Sequence, residues 1–265
     1  MPDLDLPGSP DWLDDEQRAR LVGLAERNDA AHGDDLLGLV LSGSAGRGYA
    51  TEHSDLDVIV VLTDEAAATR STVHSPEVDE AIDSWTELIT VPPFGTEGWW
   101  FRWSYAWAPV LLDRTGGGLA AAVRRQATLD PEEADQVLIE HDRLDGWLNF
   151  AYRALKNHRD GRPLETQLDA AESVPWLLDV VFALAGRVRP YNKYLPWELR
   201  THPLDGWPAD ELLGLVERTL RGDVAAVRET FARLRPLLAA YDAERGHTRT
   251  TAMVDGWGDE LSLLS

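Results

Sequence analysis

The chain has 265 residues, and its 46 acidic side chains against 25 basic ones give a formal net charge of −21. This length fits one large or two small domains, and 44% hydrophobic residues suffice for a buried core, which excludes wholesale disorder. The acid excess makes nucleic acid an unlikely partner. The lack of cysteine excludes disulfides and cysteine-ligated zinc. The lack of an apolar run long enough to span a bilayer predicts a cytoplasmic protein without membrane contact.

Strand-length apolar runs alternate with helical stretches in the first part of the chain. Residues 14–32 have the pattern of a helix that leads into a first strand. Runs 36–43 and 56–62 are apolar and end in turn residues, which is typical of central strands buried on both faces. Run 77–83 predicts a weaker strand, and run 109–114 predicts another one. This alternation predicts an α/β fold for the first part.

Helical periods dominate after the glycine triplet at 116–118. Pro131, followed by two glutamates, is typical of a helix start, because the acids complement the helix dipole. The helices expected here are 131–158, 164–186, 208–220 and 223–243. This part of the chain therefore predicts an all-α helical bundle.

The charge is also divided unevenly along the chain. Residues 1–115 hold 22 acids and 7 bases, whereas residues 116–265 hold 24 acids and 18 bases. Such asymmetry indicates two parts, and the glycine triplet is the best linker candidate. We therefore predict two domains, residues 1–115 and 116–265.

The residues with the clearest chemistry follow the first two strands. At Gly43-Ser44 a strand ends without a side chain, so that backbone N–H groups can approach an anion such as phosphate. Asp55 and Asp57 open the next strand, and side chains two apart on a strand project from the same face. Two adjacent carboxylates favour a divalent cation, and Mg²⁺ prefers oxygen ligands shared with phosphates. The combination indicates phosphoryl or nucleotidyl transfer.

This pattern also resembles a known family. Gly43-Ser44, ten residues, and then Asp55-Leu-Asp57 before an apolar run resembles the signature of the DNA polymerase β-like nucleotidyltransferase superfamily. The likeness is greatest to small bacterial members related to aminoglycoside nucleotidyltransferases, and residues 36–115 carry it best. It implies an α/β (α+β) catalytic domain with a small mixed sheet over 1–115. It also implies an all-α substrate-binding bundle over 116–265.

The resemblance also implies two Mg²⁺ ions, ATP as nucleotide donor, and a third metal-binding carboxylate that often takes the proton of the attacking hydroxyl. Asp79, between apolar neighbours, is the favoured candidate. Glu87 fits if the strand lies later and Ser84 does not cap a short helix there, and Asp83 shares a face with Asp79.

Further candidates would bind the triphosphate. Ser54 precedes the aspartate pair, and Lys156 and Lys193 are the chain's two lysines among 23 arginines. A compact ammonium suits a phosphate, although arginine bias and chance would also leave two lysines. Segment 187–199 is polar and aromatic, which is typical of a recognition segment. The alternative is that its charged side chains form surface ion pairs.

His53 lies beside the motif. It either contacts the nucleotide or takes no part in binding. Trp99, Trp103 and Trp107 recur every fourth residue, which is more typical of a packed helical face than of rings lining a substrate cleft.

Together these observations predict an Mg²⁺-dependent enzyme that transfers a nucleoside monophosphate to a hydroxyl and releases pyrophosphate. The acidity favours a small cationic acceptor such as an aminoglycoside. The alternatives are nucleotidylylation of a protein or tRNA, and a catalytically silent nucleotide-binding regulatory module.

Overall fold

A mixed five-stranded sheet organises the first part of the computed structural model, which describes residues 6–265. The strands are β1 (Leu36–Leu41), β2 (Leu56–Leu62), β3 (Val73–His74), β4 (Val78–Ser84) and β5 (Val110–Asp113). Their order across the sheet is β3-β4-β2-β1-β5. Strand β1 pairs antiparallel with β2 and β5, β2 pairs parallel with β4, and β3 pairs antiparallel with β4. The four expected strands are confirmed, and β3 is too short to leave a pattern in the sequence.

Among residues 6–128, five α-helices accompany this sheet. They are α1 (Asp15–His32), α2 (Asp64–Ala67), α3 (Trp85–Ile89), α4 (Glu97–Phe101) and α5 (Gly118–Ala127). Helix α1 confirms the helix expected over 14–32. It begins with a capping box, in which the Asp14 side chain accepts a bond from the Gln17 N–H and the Gln17 side chain returns one to the Asp14 N–H.

Apolar side chains cover both faces of the sheet. One cluster joins α1, through Leu21 and Leu24, to inward-facing residues of β1 and β2. The other joins Ile59 of β2 to Leu88 of α3 and Leu119 of α5. The continuous apolar runs of β1 and β2 are explained by this arrangement, because alternate residues enter different clusters and both clusters exclude water.

The chain divides into two compact units, Met1–Thr128 and Leu129–Ser265. This division lies later than the boundary expected between residues 115 and 116. The physical reason is helix α5, whose Leu119 and Val123 are buried in the same cluster as Val40 of the sheet. The glycine triplet therefore forms the turn into α5 within the first unit, with Gly116 and Gly117 at positive φ.

The second unit is all-α. Its helices are α6 (Pro131–Asp135), α7 (Arg143–Arg159), α8 (Pro163–Leu184), α9 (Leu195–Thr201), α10 (Ala209–Leu220), α11 (Val224–Arg245) and α12 (Arg249–Asp255). The single helix expected over 131–158 is interrupted, because a π-helical turn at Gln136–Glu140 is followed by Asp142 at φ +54°. The predicted fold class, an α/β part followed by a helical part, is confirmed.

Aromatic and aliphatic side chains form the interior of this second unit. The buried ring of Trp147 in α7 stacks on Phe231 of α11, with the ring centroids 6.3 Å apart. Across residues 6–265, the helices are too short or too polar to cross a lipid bilayer.

Candidate metal and phosphate site

Three carboxylates converge at the start of two neighbouring parallel strands. Asp57 lies in β2 directly opposite Asp79 of β4, and Asp55 precedes β2 by one residue. One carboxylate oxygen from each of the three side chains lies within 4.8 Å of the other two. The parallel register and the two-residue period of a strand together explain why these side chains meet.

The chemistry of these three groups fits a magnesium ion. All three are hard oxygen donors, and their half-buried position leaves room for substrate oxygens to complete an octahedron. The ionised carboxylates also repel one another. The attraction of a bound divalent cation would outweigh this repulsion. The metal-binding role of Asp55, Asp57 and Asp79 stays a prediction.

Strand β1 ends in a glycine turn that touches this group. Gly43 adopts φ +57°, and a Cβ atom built on it would lie 1.7 Å from Oδ2 of Asp57. Position 43 therefore requires glycine both for its backbone conformation and for its contact with the carboxylate. Ser44 is buried, and its carbonyl accepts the N–H groups of Arg47 and Tyr49 in the short 3₁₀ turn Ala45–Arg47. The expected phosphate-binding turn thus lies beside the carboxylates, although its ligand stays a prediction.

The buried guanidinium of Arg47 holds this turn in place, and the sequence did not indicate it. Arg47 donates to the carbonyls of Gly43 at 2.6 Å, Ala106 at 2.7 Å and Trp103 at 3.0 Å, and its plane lies over the Trp103 ring. The hydroxyl of Ser42 donates to Ser104 at 2.7 Å across the same contact. These bonds fix the glycine turn against a segment almost sixty positions later.

The two alternatives for the third carboxylate lie away from the aspartate pair. Glu87 accepts the Ser84 N–H at 3.0 Å and completes a capping box on α3. Asp83 accepts a hydrogen bond from the hydroxyl of Tyr105. Burial raises the pKa of the Asp83 carboxyl, the Tyr105 bond lowers it, and the negative charge of Glu87 raises it. Of the three candidates, Asp79 is the one that joins Asp55.

Two polar groups contact Asp79 from the edge of the sheet. Nδ1 of His74 in β3 lies 3.2 Å from Oδ2 of Asp79, and the Ser75 N–H donates to its Oδ1 at 3.3 Å. These contacts orient the carboxylate, and the two-residue strand that supplies them had no sequence signal.

His53 and Ser54 lie in the exposed loop before β2. The Ser54 hydroxyl accepts the Thr51 N–H at 3.0 Å and closes a turn, while the exposed His53 ring lies 3.5 Å from Glu52. Contact of either residue with a nucleotide stays a prediction.

Both lysines lie in the second unit beside tyrosine rings. The ammonium of Lys156 is 5.1 Å from the Tyr152 ring centroid, and that of Lys193 is 5.0 Å from the Tyr194 centroid. Such contacts are cation–π interactions. A role for either lysine at the phosphates stays a prediction.

The arginines of segment 187–199 form ion pairs inside the second unit. Arg187 pairs with the buried Glu198 and donates to the His202 carbonyl at 2.7 Å. Arg189 lies 3.4 Å from the buried Asp179. Both ion pairs are largely buried. These two arginines therefore do not form the surface ion pairs considered for this segment.

The tryptophan series divides into two environments. Trp99 in α4 and Trp103 in the 3₁₀ turn Arg102–Tyr105 are buried, which agrees with a packed face. Trp107 is 44% exposed and has φ +61°, because the helical course ends before it. The expected packed face thus covers the first two rings only.

Comparisons with known proteins find likenesses among solved structures alone. No protein-family model matches the chain, and no curated protein matches it. Among solved structures, it is similar to a nucleotidyltransferase-like protein from Exiguobacterium sibiricum 255-15. The identity is 12%, the alignment covers 85% of this chain and 77% of that chain, and the TM-score is 0.39. The chemistry of the site therefore rests on its own residues.

Proposed function

We propose that the chain is an Mg²⁺-dependent nucleotidyltransferase, which moves a nucleoside monophosphate from a nucleoside triphosphate to a hydroxyl of a small acceptor. The observation that carries this proposal is the convergence of Asp55, Asp57 and Asp79 within 4.8 Å beside the glycine turn at Gly43. Three carboxylates clustered beside a glycine turn are the arrangement that phosphate chemistry needs.

Each residue has a distinct role in the proposed reaction. The turn at Gly43 and Ser44 is assigned to the triphosphate because it lies beside the carboxylates, in direct contact with Asp57. Asp55 and Asp57 hold the metal. When bound, Mg²⁺ polarises the α-phosphate and offsets the charge of the pyrophosphate that leaves. Asp79 completes the site and takes the proton of the acceptor hydroxyl, and His74 orients the carboxylate for that transfer.

ATP is the donor implied by the resemblance of the motif, and a cationic molecule such as an aminoglycoside is the acceptor that the charge of the protein favours. Opposite charge on the acceptor would raise its local concentration near the acidic first unit and speed its association.

The test is transfer of label from ATP carrying ³²P at its α-phosphate, with Mg²⁺ and separate pools of aminoglycosides, cell protein and tRNA. Label at the α-position distinguishes nucleotidyl from phosphoryl transfer, since only the former moves it to the acceptor. We expect label in the small-molecule pool. Label in protein or tRNA alone would show that the acceptor is that macromolecule and not a small molecule. Label in no pool would favour a catalytically silent nucleotide-binding module.

The Asp57→Asn variant provides the control for mechanism. It removes one negative charge from the cluster of three carboxylates with almost no change of shape. We therefore expect loss of Mg²⁺-dependent pyrophosphate release. The matched variant is Asp34→Asn, the same change at an exposed position outside the group. Equal turnover of both variants, with unchanged thermal unfolding, would refute the proposed mechanism.

A further inference from the structure

The outer edge of strand β4 is only partly covered by its neighbour in the sheet. On its inner side β4 pairs with β2 over its whole length, from Val78 to Ser84. On its outer side the two-residue strand β3 pairs with Asp79 and Glu80 alone. Residues 68–72, which lead into β3, are exposed to solvent. Within the described residues 6–265, the part of β4 that follows Glu80 therefore has no strand on its outer side.

The backbone of Ile82 points to this uncovered edge. At the start of the strand, the Ser75 N–H donates to the Val78 carbonyl at 3.1 Å on the outer side. Because backbone groups along a strand alternate in direction, the N–H and C=O of Ile82 point to the same side as those of Val78. Across the described part of the chain, neither group of Ile82 has a hydrogen-bond partner. The next outward N–H, that of Ser84, is already bonded to Glu87, so Ile82 carries the open donor and acceptor.

A cavity of about 590 Å³ follows the same edge. Ala81, Ile82 and Asp83 line it, together with Thr72 just before β3. The side chain of Ile82 packs on the face of the sheet that α1 covers, whereas that of Ala81 packs on the face that α5 covers. A cavity that touches both residues must pass the edge of the strand, because neither face alone presents both side chains. The open backbone groups of Ile82 therefore lie at this cavity.

The charged side chains around the cavity are all acidic. Asp83, Glu87 and Glu97 line it, and among its described lining residues there is no lysine, arginine or histidine. The Tyr105 hydroxyl donates to one oxygen of Asp83, which holds this carboxylate in the wall. The ring of Phe101 adds apolar surface beside it. Such a lining favours a basic side chain, whose aliphatic stem packs on the ring while its head meets the carboxylate.

We propose that an extended segment of a partner protein binds this edge as an added strand, antiparallel to β4 and in line with β3, with a basic side chain opposite Asp83. An edge with open backbone groups is a template for such pairing, in which main-chain bonds give affinity and alternate side chains give specificity. The net charge of −21 opposes a second copy of this chain as the occupant. This interaction goes beyond the proposed nucleotidyl transfer and requires neither nucleotide nor metal.

The pairing sets the pattern of the partner segment. The partner residue opposite Ile82 donates its N–H to the Ile82 carbonyl and accepts the Ile82 N–H in return. Its two neighbours in the segment project to the other face of the sheet, where they lie opposite Ala81 and Asp83. A β-branched residue between two basic ones therefore fits the edge, since β-branched side chains favour strands.

Hydrogen exchange measured by NMR tests whether the edge is open in the free protein. The Ile82 amide should exchange at least about tenfold faster than the amides of Ala81 and Asp83, which point to β2. Exchange of Ile82 as slow as that of its two neighbours would show that the edge is already covered, and the proposal would fall. A dimer in solution that protects this amide would also refute it, since the occupant would then be a second copy.

Three peptides with blocked ends test the occupant by NMR titration. The first is Thr-Thr-Lys-Val-Lys-Thr-Thr, the second has glutamate in place of both lysines, and the third has N-methylvaline in place of valine. We expect the lysine peptide to protect the Ile82 amide and to bind at least about tenfold more tightly than the glutamate peptide, as a charge-assisted bond implies. N-methylation removes the N–H that the Ile82 carbonyl would accept, and it should weaken binding at least about fivefold.

Two variants of the protein locate the charge effect. Asp83→Asn should lower the preference for lysine over glutamate at least about threefold, whereas Asp34→Asn, at an exposed acid outside the cavity, should keep it. A preference unchanged in Asp83→Asn would overturn the proposed pairing. So would absent binding of the lysine peptide, equal affinity of the lysine and glutamate peptides, or full affinity of the N-methylated one. These peptide comparisons use the wild-type protein and decide the matter even if Asp83→Asn fails to fold.

Discussion

Gly43 and Asp57 are in such close contact that no side chain fits between them: a Cβ atom on Gly43 would lie 1.7 Å from Oδ2 of Asp57. The glycine turn after β1 thus directly limits where the carboxylate of β2 lies. The triphosphate-binding and metal-binding parts of the proposed site are therefore one structural unit.

Replacing Gly43 with alanine should displace the Asp57 carboxylate. The positive φ costs about 1 to 2 kcal/mol of stability in a residue with a Cβ atom. The larger effect is on activity, because a shift of about 1 Å at a reacting centre lowers the rate about a hundredfold. Pyrophosphate release measures it. The control is Gly33→Ala, at φ +53° with no atom within 4 Å of the added Cβ, which should lose stability only. Equal activity of the two variants would contradict the role of the contact.

Asp79 and Glu87 should behave differently in turnover. We expect Asp79→Asn to lower kcat by about a hundredfold or more, because it removes both a metal ligand and the proton acceptor. Glu87→Gln keeps an oxygen for the Ser84 N–H and should leave kcat within about twofold at saturating acceptor. Steady-state rates of both variants decide which residue is the third carboxylate. A larger loss of kcat in Glu87→Gln would assign that role to Glu87.

Arg47→Lys should destabilise the first unit although the substitution keeps the positive charge. A single ammonium cannot reproduce the bonds that the guanidinium makes to the carbonyls of Gly43, Trp103 and Ala106. Losing two of these buried bonds should lower the free energy of unfolding by about 3 kcal/mol, measured in urea. The matched variant is Arg20→Lys, whose partner Glu16 is exposed on α1, and its effect should be below about 1 kcal/mol.

The sequence predicted those parts of the fold that depend on local pattern. Apolar runs predicted β1 and β2, and the two-residue spacing of Asp55 and Asp57 predicted that they share a face. Asp79 was favoured only from its apolar neighbours, with Glu87 and Asp83 left open. Short-range signals suffice in these cases because a strand's period decides which side chains share a face.

Long-range contacts were not predictable from the pattern. The bonds of Arg47 reach carbonyls 56 to 59 positions away, and the pairing of Asp83 with Tyr105 spans 22 positions. Nothing local marks such partners. The interruption before α7 was missed for a different reason, since Asp142 adopts a positive φ that is uncommon outside glycine.

Trp12 should affect nucleotide binding from outside the glycine turn. Its Nε1–H donates to the Ala45 carbonyl at 2.9 Å, and its ring lies beside Gly48, although 57% of the residue is exposed. Trp12→Phe removes this bond, which supports the turn, and should weaken binding of a non-hydrolysable ATP analogue by about threefold to tenfold. Trp100→Phe, at a residue 38% exposed beside Phe94, should leave the affinity unchanged. Calorimetry compares them, and equal affinities would contradict the prediction.

Asp242 should make the docking of helix α12 sensitive to acid. Its Oδ1 accepts the N–H and hydroxyl of Thr250 at 3.2 and 2.8 Å, and its Oδ2 accepts those of Thr251 at 2.9 and 2.7 Å. Burial raises the pKa of this carboxyl, but the bonds from Thr251 and Thr250 together lower it below its ordinary value of 3.8. The stabilisation is therefore present above pH 3.8 and is lost as the pH falls through the lower pKa of the folded protein.

The Asp242→Asn variant tests this contribution, because its amide nitrogen cannot accept the bonds that one carboxylate oxygen receives. At neutral pH we expect a loss of about 2 kcal/mol in the protection of α12 amides from hydrogen exchange. The difference from the wild-type protein should narrow as the pH falls below 3.8, because the carboxyl of the unfolded segment is protonated first, and it should vanish below the lower pKa of the folded protein. Asp210→Asn, at an exposed acid of α10, should leave α12 protection unchanged. A difference that stays constant down to low pH would show that the charge of Asp242 does not hold the helix, because only the ionised carboxylate accepts all four bonds.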